Sequence, residues 1–407
     1  MAFSEKCQKK VEIHPPILCL VLLFMLILSA ILATVLPAFI VSLLAAGWVR
    51  SMAQRLGLLD KPGPRKIHTT LIPLGGGLGI WFGMVVTFAL GAGFVYFANL
   101  DASNGWLPEI LKTHRQGLLN KAMDVWWLLL GGTVLVILGL ADDRRGLPWQ
   151  LRLLVEFAVA ASIVYWQGLR LTAFIGLPWL TSLLSVFWIV ALINSFNMLD
   201  NMDGLSGGVA AIVSAMLALM LLLNPDPTTQ QPQLFVAAML LVLCGALLGF
   251  LKHNWPPAKI FMGDAGSYLV GYWIAIATLL TTYTGYRGSH PHAILAPLCV
   301  LAIPLYDMTS VIWIRLREGR SPFEGDKRHF SHRLVELGMS KKQAVLTIYL
   351  ATATCCLGAL LLNRTDWIGA ILIVMMVLAT LALIAVLESL SRSKHAGDVK
   401  EEIECRS

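Results

Sequence analysis

Five aspartates in three short segments are the residues of this chain best suited to chemistry. Asp142 and Asp143 are adjacent in LADDRRG, Asp200 and Asp203 lie three residues apart in NMLDNMDG, and Asp264 lies in FMGDAGS. Adjacent like charges favour a bound cation or a proton, and the spacing of three predicts that Asp200 and Asp203 share one face of a helix. Oxygen ligands without cysteine suit hard cations, so the segments predict a Mg²⁺ or Mn²⁺ site.

Two further sets of polar residues accompany these aspartates. Asn194 and Asn197 precede Asp200 at helical spacing and form a polar stripe with it, as in a lined site. A long basic segment contains His329 and His332. Carboxylates opposite a basic loop are what phosphoryl transfer requires, because a held metal and the cations together absorb the charge of the phosphate groups. The plainer interpretation, a solvated loop residue, stays open for any one acid taken alone.

The composition places these residues in a membrane protein. The 407-residue chain is 57% hydrophobic and 14% charged, whereas soluble domains carry about 25% charged residues. Apolar runs near the length of a spanning helix, about 20 residues, lie at 17–49, 74–98, 125–141, 151–167, 178–195, 204–223, 234–251, 265–284, 292–314, 342–362 and 366–388. We predict an all-α polytopic bundle of about 11 transmembrane helices (roughly 10–12). The first run crosses once, or twice if Pro37 divides it.

Charge in the loops predicts the orientation of the bundle. Most of the 31 lysines and arginines fall on one side, which faces the cytoplasm in membrane proteins. Parity puts all five aspartates there too. We therefore predict a multi-pass protein of the inner (plasma) membrane, with a cytoplasmic site that joins a lipid phosphate to a soluble donor. The same bias accounts for the net charge of +7 without a nucleic-acid partner, and seven cysteines without a C-x-x-C pair indicate neither disulfides nor zinc.

Two acids fall within the apolar runs. Glu156 lies one turn after Arg152, so we predict that the two form an ion pair. Asp307 lies about 12 Å inside its helix, counted from Arg315, and two roles stay open for it: a polar contact inside the bundle, or support of the site. For the run Gly75–Gly77, close helix packing is favoured over a phosphate-binding nest.

Taken together, five sequence blocks resemble those of a known family, the polyprenyl-phosphate N-acetylhexosamine-1-phosphate transferases of glycosyltransferase family 4. This family includes undecaprenyl-phosphate GlcNAc-1-phosphate transferases and, more distantly, phospho-MurNAc-pentapeptide translocase. The resembling blocks run in the family's order over about residues 50–340; they are DKPGPRKIHTTLIPLGGG (60–77), LADDRRGLPWQLRLLVE (140–156), NSFNMLDNMDGLSGG (194–208), GFLKHNWPPAKIFMGDAGS (249–267) and IPLYDMTSVIWIRLREGRSPFEGDKRHFSHRL (303–334).

The resemblance implies a reaction and roles for residues. An undecaprenyl (polyprenyl) phosphate attacks the β-phosphorus of a UDP-N-acetylhexosamine, which releases UMP and leaves a lipid diphosphate sugar that initiates cell-envelope polysaccharide synthesis. The resemblance implies four catalytic residues, Asp142, Asp143, Asp200 and Asp203, of which Asp142 is the candidate base. The implied Mg²⁺ site (Mn²⁺ possible) consists of Asp264 and Asn197. The candidate substrate-binding residues are Asn254, His329, His332 and Arg333, to which the polar stripe adds Asn194 and the first block adds His68.

Two positions depart from the family pattern. Relatives commonly have glycine where this chain has Asn201, and often an additional histidine where it has Ser331. These departures leave the metal chemistry intact, but they leave undetermined which sugar is transferred. The sequence also does not identify the polysaccharide that begins with this step.

Three regions follow from these patterns: an N-terminal extension (1–35), a membrane-embedded transferase domain (36–388) and a polar tail (389–407), which we expect to be solvated and partly mobile. The main alternative from another class is a secondary transporter. Transporters place polar sites near the midplane on broken helices related by repeats, whereas these acids meet one surface and no repeat is evident. A phospho-MurNAc-pentapeptide translocase-like step and a homodimer also stay open.

Overall fold

The computed structural model describes residues 25, 28–60, 71–100, 109–171, 175–224, 233–285, 291–323 and 328–404. In this part of the chain, thirteen α-helices, α1 to α13 in chain order, are Leu36–Leu56, Gly76–Leu100, Glu109–Arg145, Trp149–Gln167, Pro178–Leu199, Leu205–Leu223, Leu234–Asn254, Gly263–Gly285, Ala296–Val300, Ala302–Arg317, Phe330–Glu336, Lys341–Leu361 and Trp367–Glu404. A π turn (Ile31–Val35) precedes α1, and 3-10 turns precede α9 (Pro291–Leu295) and α13 (Leu362–Arg364). The predicted all-α class is confirmed.

Eight helices of the described chain are long and apolar enough to cross a membrane: Leu28–Leu56, Gly76–Phe97, Met123–Arg145, Pro178–Leu199, Leu205–Leu223, Leu234–Asn254, Lys341–Arg364 and Trp367–Leu387. The other three predicted runs also form helices. However, α4 carries Arg152 and Glu156, α8 is rich in glycine and hydroxyl-bearing residues, and α10 has only 16 residues. The protein is a multi-pass membrane protein, as predicted.

The first apolar run forms one helix over its described part, from Leu28 to Leu56. Pro37 lacks a backbone N–H and cannot continue the regular ladder of hydrogen bonds. The π turn absorbs this break, since the N–H of Leu36 bonds to the carbonyl of Ile31, five residues earlier. Pro37 therefore does not divide the helix within residues 28–56, while most of residues 17–27 lies outside the described residues, so the number of crossings of the run 17–49 stays open.

Helix α8 runs through the middle of the bundle. Every residue from 268 to 277 is buried, so the helix has no lipid-facing side over about three turns. Glycines let its neighbours approach: a Cβ on Gly139 of α3 would lie 2.2 Å from the nitrogen of Ala265, and one on Gly271 would lie 2.4 Å from the carbonyl oxygen of Leu192 in α5. These contacts set the C-terminal ends of α3 and α5 beside the start of α8.

A short hairpin also supports the start of α8. Its strands, β1 (Leu59–Asp60) and β2 (Ile72–Pro73), are antiparallel. The amides of Gly76 and Gly77 then bond to the carbonyls of Phe261 and Met262 at 2.9 and 3.0 Å. A Cβ on Gly77 would lie 2.2 Å from the nitrogen of Gly266, so the close-packing interpretation of this glycine run is confirmed.

The C-terminal helix extends into the region expected to be a polar tail, and the solvated, partly mobile character of that tail stays a prediction. Helix α13 continues without a break from Trp367 to Glu404 and thus includes most of residues 389–407. The helix starts from an apolar stretch that is long enough to span a membrane, and an established helix extends at the cost of one residue at a time. Low apolar content alone therefore did not mark the end of the helix.

Candidate active site

The acid cluster, defined as Asp142, Asp143, Asp200, Asp203 and Asp264, gathers at one end of the bundle. The amide of Asp264 donates to Asp143 Oδ1 at 3.1 Å. Asp200 interacts electrostatically with Asp143 and Asp203 and accepts a hydrogen bond from the backbone of Gly263. Three segments far apart in sequence thus meet at the start of α8. This end-of-helix position differs from the midplane site of the transporter alternative.

Asp142 has a partner for each of its carboxylate oxygens. The amide of Leu147 donates to Oδ1 at 2.6 Å. Arg152 and the hydroxyl of Tyr268 donate to Oδ2 at 2.8 and 3.2 Å. Charge-assisted bonds of this kind stabilise the ionised carboxylate, so Asp142 is poorly suited to the role of base that the resemblance implied for it.

The predicted ion pair between Arg152 and Glu156 is wrong. Arg152 lies near the start of α4, and its guanidinium extends to Asp142 across the turn from α3. Glu156 instead accepts a hydrogen bond from the amide of Asn194 in α5. Helical spacing puts the two side chains at neighbouring positions, but each one bonds to a residue of an adjoining helix, Arg152 to Asp142 and Glu156 to Asn194.

Asp143 has one oxygen without a partner. Its Oδ1 accepts the Asp264 amide, whereas its buried Oδ2 has no hydrogen-bond partner in the part of the chain that the structure describes. Asp60 of β1 lies close enough to interact electrostatically with this carboxylate, a neighbour that the sequence reasoning missed. A buried carboxylate oxygen with a second acid nearby is costly. Its chemistry fits a position that a cation or a substrate proton completes.

Asn197 of α5 holds the carboxylate of Asp264. Its side-chain nitrogen donates to Asp264 Oδ1 at 2.6 Å and to the hydroxyl of Ser267 at 3.0 Å. The predicted metal pair is therefore in direct contact. The described residues contain no group of three or more His, Cys, Asp or Glu side chains arranged as a ready-made metal site. Mg²⁺ commonly uses only one or two carboxylates with water and phosphate oxygens, and the carboxylates of Asp264 and Asp143 fit that pattern.

Asp200 and Asp203 lie in a turn, so the prediction that they share a helical face is wrong. Helix α5 ends at Leu199, and Gly204 adopts a left-handed conformation with φ 76° before α6 begins. Asp203 Oδ2 accepts the amide of Ala258 at 2.9 Å. Burial, reinforced by the nearby charges of Asp143 and Asp203, raises the pKa of Asp200 to about 7. The turn therefore holds a carboxyl group that a nearby cation would help to ionise.

Asn254 supports this turn from within the protein. It is buried, its Oδ1 accepts the amide of Gly204 at 2.9 Å, and its nitrogen donates to the carbonyl of Ile260 at 2.8 Å. Tyr349 of α12 donates to the carbonyl of Gly204 from the other side. These bonds use the amide of Asn254 to position the acid turn, and the substrate-binding role that the resemblance implied for it stays a prediction.

The histidine segment, defined as residues 328–336, lies beside the acid cluster. Asp307 of α10 bonds to His329 Nδ1 at 2.9 Å through one oxygen and accepts the amide of Phe330 at 2.7 Å through the other. Of the two roles left open for Asp307, the structure assigns support of the site. Arg333 is buried and donates to the hydroxyl of Ser310 at 3.1 Å. His332 is half-buried, with its ring 6.3 Å from that of His329.

The remaining candidates are less informative. Asn194 contacts Glu156 and the carbonyl of Val190, so its amide nitrogen is engaged inside the bundle. His68 lies outside the described residues. The supporting residues that the sequence reasoning missed are Arg152 and Tyr268 at Asp142, and Ser267 at Asn197. The glycine and proline between Asp142 and Arg152 indicate a tight connection, which was the available signal for their contact.

Comparison with known proteins gives consistent matches. The model of glycosyl transferase family 4 matches residues 125–282. The probable undecaprenyl-phosphate N-acetylglucosaminyl 1-phosphate transferase of Bacillus subtilis (strain 168) is 30% identical over 84% of this chain and 88% of its own length. The decaprenyl-phosphate N-acetylglucosaminephosphotransferase of Mycobacterium tuberculosis (strain ATCC 25618 / H37Rv) is 33% identical over 80% of each chain. The undecaprenyl-phosphate alpha-N-acetylglucosaminyl 1-phosphate transferase of Escherichia coli (strain K12) is 32% identical over 77% of this chain and 79% of its own.

Proposed function

The chain belongs to glycosyl transferase family 4, and on that premise we propose that it transfers an N-acetylhexosamine 1-phosphate from a UDP-sugar to undecaprenyl or another polyprenyl phosphate. The names of the three relatives support both the lipid acceptor and an N-acetylglucosamine donor. UDP-GlcNAc is accordingly the first donor to test. The product, a lipid diphosphate sugar, starts a cell-envelope polysaccharide.

One observation carries this proposal: Asp143 accepts the amide of Asp264 through Oδ1 at the start of the central helix, while its buried Oδ2 has no hydrogen-bond partner among the described residues. The helix N-terminus favours negative charge, and the histidine segment supplies imidazole and guanidinium groups nearby. Such an arrangement suits the phosphate groups of two substrates. It has no evident use in a site that binds only neutral molecules.

In the proposed reaction, an acceptor phosphate oxygen forms a bond to the β-phosphorus of the UDP-sugar. The bond from that phosphorus to the oxygen bridging the two phosphates breaks, and UMP leaves with this oxygen. Asp143 takes up the proton of a singly protonated acceptor phosphate, because its free oxygen can accept one. Asp142, already paired with Arg152, instead keeps the end of α3 in place.

The donor phosphates and sugar lie between the acid turn and the histidine segment. Asp307 fixes the ring of His329 through Nδ1, which leaves Nε2 as the nitrogen that contacts substrate. We assign the proposed Mg²⁺, or Mn²⁺ in its place, to Asp264 with Asn197 beside it, because carboxylate and amide oxygens are ligands that hard cations prefer. When bound, such a cation neutralises phosphate charge and lowers the barrier to displacement at phosphorus.

The direct test is release of UMP by the purified protein with undecaprenyl phosphate, Mg²⁺ and a panel of UDP-sugars that includes UDP-GlcNAc and UDP-GalNAc. We expect release with an N-acetylhexosamine donor, its loss with a chelator, and its recovery with added Mg²⁺ or Mn²⁺. Absence of UMP with every donor would overturn the proposed reaction. Full activity in the chelator would overturn the cation alone.

We also propose that the site faces the cytoplasm from the inner (plasma) membrane. The basic loops at the site end support this orientation. Ser321 lies exposed at that end and Asp366 lies exposed at the opposite end. In intact cells, Ser321→Cys should react only with a membrane-permeant maleimide and Asp366→Cys also with an impermeant one. The reverse pattern would contradict the orientation.

A further inference from the structure

The acid turn and the histidine segment are joined by a side-chain hydrogen bond. The hydroxyl of Ser331 donates to Oδ1 of Asn201, from a position 130 residues away. Asn201 lies between Asp200 and Asp203, and Ser331 lies between His329 and His332.

The bond has a defined geometry because its acceptor is oriented by a second contact. The side-chain nitrogen of Asn201 donates to the carbonyl of Met198 at 2.9 Å, at the end of α5. This contact turns Oδ1 toward Ser331, which is only 1% exposed. A buried hydroxyl with one well-placed acceptor is strongly restricted.

The same bond fixes the short helix α11 from a second side. Asp307 already ties the start of this helix to α10, through His329 and the amide of Phe330. Ser331 adds a tie to the acid turn, within one turn of helix from both histidines. The bonds of Asp307 and of Arg333 to Ser310 both hold α11 against α10, whereas the bond of Ser331 holds it against the acid turn and so fixes the distance between the two regions.

We propose that Asn201 and Ser331 form a positioning pair that sets the separation between the acid turn and the histidines, and thereby tunes binding of the UDP-sugar. This inference rests on the proposed function. Both residues lie outside the membrane-spanning helices, where a soluble donor contacts the protein, whereas a lipid phosphate arrives from the membrane. The pair should therefore affect the donor more than the acceptor.

Kinetics of a double-mutant cycle test the pair. Asn201→Ala and Ser331→Ala should each raise the KM for the donor about tenfold, with smaller changes in acceptor KM. The double variant should be no worse than either single one, because both remove the same bond. Ser331→Thr keeps the hydroxyl and should stay within about twofold of the parent protein. Additive losses, or a parent-like Ser331→Ala, would overturn the pair.

A second measurement does not depend on catalysis. Amide hydrogen exchange of the peptide covering residues 329–336 should accelerate about tenfold in Asn201→Ala. Matched controls are Asn224→Ala, whose amide bonds only the carbonyl of Met220 four residues earlier, and the buried Ser185→Ala in α5; neither should change that exchange. Unchanged exchange in Asn201→Ala would overturn the pair even if no UMP is formed. An inactive parent protein with accelerated exchange would overturn only the proposed reaction.

Discussion

The acid cluster and the histidine segment lie side by side, but their charges are balanced in different ways. In the histidine segment, His329 has a carboxylate partner within the protein, Asp307, which also holds the adjacent amide. In the acid cluster, Asp142 forms an ion pair with Arg152, while Asp143 lies near both Asp200 and Asp264 as a like charge. His329 therefore has its counter-charge within the protein, whereas most of the acid cluster consists of neighbouring like charges.

This difference separates two kinds of contribution to catalysis. A side chain held by a partner within the protein, as His329 is by Asp307, is preorganised and positions substrate without reorganisation. A cluster of like charges is unfavourable until a cation or a proton joins it, so its affinity for such a ligand is built into the fold. Mutations in the acid cluster and mutations in the histidine segment should therefore change activity and stability differently.

The largest effect is expected at Asp264. Asp264→Asn should lower kcat/KM for UMP release by roughly a thousandfold, because it removes the charge that holds the proposed cation. Asp366→Asn changes an exposed carboxylate that caps the first turn of α13 at the opposite end, and it should keep full activity. An active Asp264→Asn protein would remove the cation from this position.

The adjacent pair within the acid cluster offers a sharper contrast. Asp143→Asn should lose about a hundredfold in kcat with an unchanged or higher Tm, since it relieves charge crowding. Asp142→Asn should lower the free energy of unfolding by about 1–3 kcal/mol, since Arg152 loses its counterion. Activity and thermal unfolding of both proteins separate the roles. Equal Tm values with equal losses of activity would contradict the distinction.

On the histidine side, Asp307→Asn should reduce kcat/KM by about tenfold to a hundredfold, comparable to the loss of a carboxylate that orients a histidine ligand. The change keeps the shape of the side chain but weakens its hold on His329. If the loss equals that of Asp264→Asn, Asp307 does more than position the ring. Steady-state UMP release with separately varied donor and acceptor distinguishes these outcomes.

The smallest effect concerns stability and pH. The folded pKa of Asp200 is about 7, above its ordinary value of 3.8, so the folded state retains a proton that the unfolded chain has released. This contribution to stability is complete below the ordinary pKa and is lost as the pH rises through about 7. In chelator, the Tm should fall between about pH 5 and 7, and less steeply in Asp200→Asn. Parallel slopes for the two proteins would exclude this origin.

Local patterns predicted the helices well, because a run of apolar residues must satisfy its backbone internally within a membrane. They also predicted that the aspartates meet, since parity puts helix ends on one side. They predicted side-chain partners poorly. The spacing of Arg152 and Glu156 favoured an ion pair within one helix. Instead, Arg152 bonds to Asp142 and Glu156 bonds to Asn194, both on neighbouring helices.

By itself, the sequence determined the membrane-spanning class, the five aspartates and their gathering at one end, because these depend on composition and on the order of apolar runs. Only the tertiary structure decided which aspartate is neutralised, which oxygen of Asp143 lacks a donor, and that Asp307 holds His329 while Asn201 holds Ser331. The physical reason is that hydrogen bonds and ion pairs act over a few ångströms. At that range, the close approach of α3 to α8 at Gly139 and of α5 to α8 at Gly271, and not spacing along one helix, selects the partners.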